Sequence, residues 1–266
     1  MIWLTAFGTT SRGTVREDNQ DWMLVGRALK NNGEYEVRFR LDDDYVCQWG
    51  WLAAVADGMG GHAAGSLAAR LTLEILDHHF FGIPKQGCQD LALESLREGL
   101  ERANHVILET GLKPEYAGLG STIAGVAIIG GTCIPFHAGD SRVYRFRLGA
   151  LRQLTQDDSI ASLAEQAGYS PRNSQPQDLS HLITNGLGMR DMRLHTGSPF
   201  ALQPGDILMI SSDGLHGALT TEAIENILEE SIPLAERGRL LMGEALQTST
   251  DNATLILLEL GPTVDR

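Results

Sequence analysis

Apolar and polar positions follow two different periods along this chain. Up to about residue 56 the pattern is that of strands. Trp22–Val25 is apolar, Tyr35, Val37 and Phe39 alternate with Glu36, Arg38 and Arg40, and Trp49–Ala56 is the continuous run of a strand covered on both faces. Asn31-Asn32-Gly33 predicts a hairpin turn between the first two. From Ala63 to Phe81 the period lengthens: Leu67, Leu71 and Ile75 recur at helical spacing and predict one apolar stripe. A second helix is predicted over Gln89–Glu109, with Leu93, Leu96, Leu100, Ala103 and Ile107 inward. Strands resume at Ser121–Ile129, Thr132–Ala138, Arg142–Arg147 and Leu151–Leu154, followed by a helix over Ile160–Ala167. A closing strand–helix–helix–strand block covers Ile207–Ser211, Thr221–Glu230, Leu234–Gln247 and Ala253–Leu260. Strand clusters interrupted by paired helices predict an α+β fold rather than a regular βαβ repeat. No Pro/Ser-rich linker divides the chain, so residues 1–266 are expected to form one domain.

Composition narrows the function. The chain is 42% hydrophobic and carries a net charge of −13, with 34 Asp and Glu against 21 Lys and Arg. That balance argues against nucleic-acid binding, which needs a basic footprint to displace phosphate counterions, and against an anionic membrane surface. The longest apolar run, Ile123–Ile129, is far too short to span a bilayer, and MIWLTAFGTTSRG lacks the pattern of a secretion signal. Cys47, Cys88 and Cys133 form no CxxC pair, which predicts buried thiols in a reducing cytoplasm.

Four aspartates stand where an apolar strand meets a turn: Asp57 after LAAVA, Asp140 after FHAG, Asp213 after ILMISS, and Asp251 before NATLILLEL. An Asp-Gly pair by itself is commonly just a turn. Four carboxylates at strand ends would repel one another if they converged, and convergence would require cations. An all-oxygen donor set selects Mg2+, Mn2+ or Ca2+ over zinc. Spacing leaves both readings open. The eight histidines offer no HExxH motif, and His105, His181, His195 and His216 read as surface or capped core residues. His62 differs, lying in the Gly-rich turn ADGMGGHAAG that opens the first long helix. That turn lacks the Lys-Ser/Thr of a P-loop, and no GxSxG elbow is present.

ADGMGGHAAG at 56–65 resembles the signature of the bacterial form of the protein phosphatase 2C family, metal-dependent Ser/Thr protein phosphatases. Further blocks similar to that family follow the same order: GTVREDNQD at 13–21, GLGSTIAGVAI at 118–128, HAGDSRVYRFRLGALRQLTQDDS at 137–159, PGDILMISSDGLHGALT at 204–220 and DNATLILL at 251–258. The resemblance implies a four-layer α-β-β-α sandwich of two antiparallel sheets flanked by helices, with a metal cleft at one edge. It implies two to three Mn2+ or Mg2+ ions. Asp57 would bridge two of them, the Gly58 carbonyl would ligate one, and Asp213 and Asp251 would complete the other's shell. Asp140, with Asp213, would hold a weaker third ion. Arg16 matches the arginine that grips the substrate phosphate, a task suited to a planar guanidinium. His62 falls where the family's proposed general acid lies. The implied reaction is hydrolysis of phosphoprotein monoesters by direct attack of a metal-activated water. Repulsion among the aspartates is expected to leave the metal-free protein less stable and acid-sensitive.

The chain departs from the family pattern in places. Gln20 stands where many members carry a glutamate that binds metal-coordinated waters, so weaker second-metal affinity is expected, with Asp21 beside it to carry the water network. Residues 26–50 read as an extended hairpin, with Asp42-Asp43-Asp44 a solvated turn. Residues 160–186 correspond to the variable flap beside the cleft, expected to influence substrate choice. The partners implied are phosphoprotein substrates and a cognate Ser/Thr kinase, for a cytoplasmic monomer that binds neither nucleic acid nor membrane. Two rival readings are a pseudophosphatase that binds partners without hydrolysis and a Ca2+-binding adhesion module. The full carboxylate set together with Arg16 favours the enzyme.

Overall fold

A computed structural model describes residues 2–60, 62–168 and 182–261, with the side chains of His62 and Ala63 outside that description. The chain opens with β1 (Trp3–Ser11), then a loop, then the hairpin β2 (Trp22–Val25) and β3 (Ala28–Lys30). β4 (Gly33–Arg40), a short helix α1 (Asp44–Trp49), β5 (Trp51–Ala56) and the two-residue β6 (Gly58–Met59) follow. The helices α2 (His62–Phe80) and α3 (Gln89–Thr110) come next, then β7 (Gly120–Ser121), β8 (Ile123–Ile129), β9 (Thr132–Ala138), β10 (Arg142–Arg147) and β11 (Ala150–Gln153). The chain continues through α4 (Ile160–Gln166), β12 (His195–Thr196), β13 (Phe200–Ala201) and β14 (Ile207–Ser211). It closes with α5 (Asp213–His216), α6 (Thr221–Glu229), α7 (Leu234–Thr248) and β15 (Ala253–Leu260).

Two antiparallel sheets result. One runs β11-β10-β14-β15-β1-β4; the other runs β12-β9-β8-β5-β2-β3, with β13 also on β9. Alternation along each central strand divides its side chains between two cores. In β5, Trp51, Ala53 and Val55 face the other sheet, whereas Leu52, Ala54 and Ala56 face α2 and α3. In β15, Ile256, Leu258 and Leu260 enter the inter-sheet core, and Leu255 and Leu257 pack under α6 and α7. Three apolar layers therefore join four layers of secondary structure, α-β-β-α, as the resemblance implied. Each fully buried leucine or phenylalanine in them contributes roughly 1.5–3 kcal/mol.

Both long helices and the closing block lie within a residue or two of their expected bounds. The buried face of α2, however, runs through Ala69, Leu73, Leu76 and Phe80, with Leu67, Leu71 and Ile75 only partly buried on its flank. β1 was not anticipated, although it lies inside its sheet between β15 and β4. The expected strand at Trp49 begins instead at Trp51. Residues 44–49 form α1, capped by Asp43, whose Oδ1 accepts from Tyr45 N at 3.0 Å. Gly50 ends that helix at φ +75°, where any side chain would be strained. The Asn31-Asn32-Gly33 turn is not a hairpin turn: it carries the chain from β3 in one sheet to β4 in the other. The hairpin is β2–β3, so residues 26–50 are shared between the sheets and do not form one extended hairpin. The centre of the expected flap, residues 169–181 with His181, lies outside the described residues.

Candidate active site

The strand ends of both sheets meet at one edge of the sandwich and enclose a cleft of about 430 Å3. Arg16, Gln20, Asp57, Gly58, Asp140, Asp213 and Asp251 all line it. They come from the β1–β2 loop, the β5–β6 junction, the β9–β10 turn, the first turn of α5 and the turn before β15. Residues far apart in sequence thus converge because the strands that carry them are neighbours.

Local contacts set each position. The Asp57 carbonyl accepts from Thr122 N at 2.9 Å, and Thr122 Oγ1 bonds Ser141 Oγ at 2.7 Å, which ties the Asp57 and Asp140 turns together. At Gly58 the backbone of α2 comes so close that a Cβ would overlap the Gly65 carbonyl, so only glycine lets helix and strand meet. Asn252 braces the N-terminal loop: its Nδ2 donates to the carbonyls of Arg12 and Asp18 at 2.8 and 2.9 Å, and its Oδ1 accepts from Gln20 N at 2.8 Å. Sequence reasoning assigned Asn252 and Thr122 no role. The Asp-Asn dipeptide before an apolar strand was the available signal for the first, and nothing marked the second. Ile183 also lines the cleft, from the far side of the flap.

Arg16 Nη2 donates to Asp251 Oδ2 at 2.5 Å, with both side chains well exposed. Asp21 lies behind the cleft wall, not on it. It is fully buried, its Oδ2 accepts from Ser212 Oγ at 2.7 Å and Thr254 Oγ1 at 2.8 Å, and its Oδ1 has no hydrogen-bond partner among the described residues. His62 begins α2, and its side chain lies outside the described residues.

The carboxylates crowd one another. Burial, followed by the charges of Asp21, Asp213, Asp140 and Asp251, pushes the Asp57 carboxyl well above the usual range. Burial, with Asp213 and Asp157, raises Asp140 to about 7. Burial also raises Asp21 to about 7, against the lowering effect of its two hydroxyl donors. Such a cluster calls for cations, and Arg16 supplies one charge at its rim.

As the side chains stand, no group of three or more His, Cys, Asp or Glu among the described residues is arranged to hold a metal ion. The donor set nonetheless fits a hard divalent cation: carboxylate oxygens and the Gly58 carbonyl share a polar cleft, with an unpartnered carboxylate oxygen buried behind it. Mutual repulsion opposes the closing of the carboxylates on one point, and attraction between opposite charges accounts for Arg16 holding Asp251.

Known proteins share this sequence pattern and fold. The family model for Protein phosphatase 2C matches residues 40–248. The chain is 30% identical over 243 residues to Protein phosphatase PhpP of Streptococcus pneumoniae, covering 89% of this chain and 94% of that protein. The structure of the S. agalactiae serine/threonine phosphatase superposes with a TM-score of 0.82 at 28% identity, over 96% of this chain and 99% of the other. The catalytic domain of the serine/threonine protein phosphatase PstP, solved with two manganese ions, superposes with a TM-score of 0.77 at 28% identity, over 98% of this chain and 100% of the other.

Proposed function

The chain belongs to the protein phosphatase 2C family, and on that premise we infer that it is a Mn2+- or Mg2+-dependent phosphatase of phosphoserine and phosphothreonine in proteins. The observation that carries this reading is the convergence of Asp57, Asp140, Asp213, Asp251 and Arg16 on one cleft.

In the proposed site Asp57, Asp213, Asp251 and the Gly58 carbonyl hold two ions, and Asp140 with Asp213 holds a weaker third. When bound, the ions supply a water acidic enough to act as nucleophile near neutral pH and positive charge opposite the phosphoryl oxygens. Once Asp251 is engaged elsewhere, Arg16 is free to turn its guanidinium to the phosphate, where two parallel N–H donors match two oxygens. Gln20, with its backbone fixed by Asn252, presents a neutral amide to the ions' waters. Asp21 acts from behind the wall, adding negative charge next to Asp57. His62 is the proposed proton donor to the departing Ser or Thr oxygen.

The proposal extends to an opposing Ser/Thr kinase, a single catalytic domain over residues 1–266, a monomeric state and a cytoplasmic setting. Among the described residues no helix is long and apolar enough to cross a membrane.

Hydrolysis of an aryl phosphate and of a phosphothreonine peptide, titrated with Mn2+ and Mg2+, tests the reading. Turnover that needs metal, stops in EDTA and is lost in Asp57→Asn is expected. Folded protein with no turnover under either metal overturns it in favour of partner binding without hydrolysis.

A further inference from the structure

Asp140 sits in a turn whose two flanks are held by consecutive acids. Downstream, Arg142 donates to Asp157 through Nε at 2.8 Å and Nη2 at 2.6 Å. Upstream, Gly139 and Asp158 bond reciprocally: Gly139 N donates to Asp158 Oδ2 at 3.0 Å, and Asp158 N donates to the Gly139 carbonyl at 3.0 Å. Gly139 has φ +114° and lies against Thr122, so the turn has little slack of its own.

Asp158 reaches further. Its Oδ2 also accepts from Asn185 Nδ2 at 2.7 Å, and its carbonyl accepts from Thr184 N at 2.7 Å. These bonds hold the segment whose Ile183 lines the catalytic cleft. Its Oδ1 lies 3.2 Å from His195 Nε2, and the His195 ring stacks on His137 at 5.0 Å. His137 Nε2 is in turn bonded to the Gln156 carbonyl at 2.7 Å. Asp158 does not line the catalytic cleft; it lines a separate cavity of about 620 Å3 beside it. A carboxylate accepting several donors makes stronger, better directed bonds than a neutral group, and this one ties the Gly139 turn to the 184–185 segment and to His195 of β12, beside the backbone pairing of His195 with His137 and of Ser159 with Ile183.

We propose that Asp158 is a positioning residue for the reaction: by fixing the Gly139 backbone it presents the Asp140 carboxylate to its cation, and it couples that turn to the Ile183 edge of the cleft. The inference rests on the reading of Asp140 as a cation ligand. It concerns a carboxylate that touches neither substrate nor ion.

The test compares Asp158→Ala, Asp158→Asn and Asp140→Asn with the wild type. Free Mn2+ is followed by electron paramagnetic resonance during titration, and amide exchange across residues 138–142 is followed in the metal-free protein. Asp158→Ala should weaken the most weakly held Mn2+ by about tenfold, the scale of losing a group that orients a ligand, leave the tighter ions within about twofold of wild type, and speed exchange at Gly139. Asp158→Asn, whose amide oxygen still accepts from Gly139 N, should recover part of that affinity. A merely structural role would lower all the ions together, and that result overturns the proposal, as does wild-type Mn2+ binding in Asp158→Ala. If the alanine variant does not fold, Asp158→Asn decides: a selective loss of the weakest ion supports the proposal, and unchanged binding overturns it. Asp140→Asn separates the two levels of the argument. If it leaves every Mn2+ in place, the ligand reading fails and the proposal falls with it; if it alone loses an ion, only the role of Asp158 is overturned.

Discussion

Mild acid should stabilise the metal-free protein. The Asp21 carboxyl is fully buried and raised from 3.8 to about 7, chiefly by that burial. An acid raised in the folded state binds its proton more tightly there than in the unfolded chain. Its contribution is therefore most favourable below the unfolded value and declines as pH climbs to the folded one. The slope is about 1.4 kcal/mol per pH unit for each such group, so at neutral pH the Asp21 charge costs the fold about 4 kcal/mol. Asp140 and Asp57 act in the same sense. His216 and His137 oppose them: burial depresses both imidazoles, that of His216 well below the ordinary value, so acid charges them more readily in the unfolded chain. Three raised carboxyls outnumber the two depressed imidazoles, and the sign is the reverse of the acid sensitivity expected from sequence. Urea unfolding in EDTA between about pH 5.5 and about pH 7.5 measures it. The wild-type midpoint should rise toward the acid end. In Asp21→Asn the rise should be smaller, because removing one charge also relieves Asp57. Saturating Mn2+ should invert the trend, since ions bind the charged carboxylates. A midpoint in EDTA that is flat or falls toward acid refutes the reasoning, as does an Asp21→Asn dependence as steep as wild type.

Gly58→Ala should cost about 3 kcal/mol in urea unfolding and abolish turnover, because its Cβ would overlap the Gly65 carbonyl and force α2 away from β6; an active, stable variant would contradict that close approach. Arg16→Ala should raise KM for a phosphopeptide about tenfold or more with little loss of folding stability, since its ion pair with Asp251 is well exposed. Arg147→Ala should destabilise by about 3 kcal/mol without altering Mn2+ dependence. It strands Asp206, which is 1% exposed and held at 2.5 and 2.6 Å by Arg147.

Local chemistry was legible in the sequence, and partner choice was not. The helices α3 and α7 and the strands β8, β9 and β15 carry their period or apolar run in plain sight. β1 does not: Thr5, Gly8, Thr9 and Thr10 dilute its apolar positions. Their fitness for a strand depends on distant partners, such as Thr254 Oγ1 at 2.7 Å from Thr10 Oγ1 and Met23 packed over Gly8. α1 merges with the apolar run after it, and only the backbone at Gly50 separates them. Asn31-Asn32-Gly33 announces a turn truthfully, but whether the next strand pairs with the last is a tertiary matter. The same division holds at the cleft. Each aspartate could be seen at a strand end, whereas convergence follows from strand order. Asn252 and Thr122 act on backbone groups up to 240 residues away, and no local pattern encodes that.

The pairing of β1 with β15 has a consequence for how the molecule comes into being. Leu4 lies opposite Leu260 and Ser11 opposite Ala253, so the inner strands of one sheet are contributed by nearly opposite ends of the described chain. Pairings of such long range are slow to form and leave strand edges open until the last partner arrives. During synthesis β1 must wait for the residues between Ser11 and Ala253 to follow, and Asp251 emerges only with the strand that joins β1 to β14. A chain that stops short of β15 therefore lacks both the completed sheet and the last carboxylate of the cleft, and catalytic competence appears only once that strand has paired.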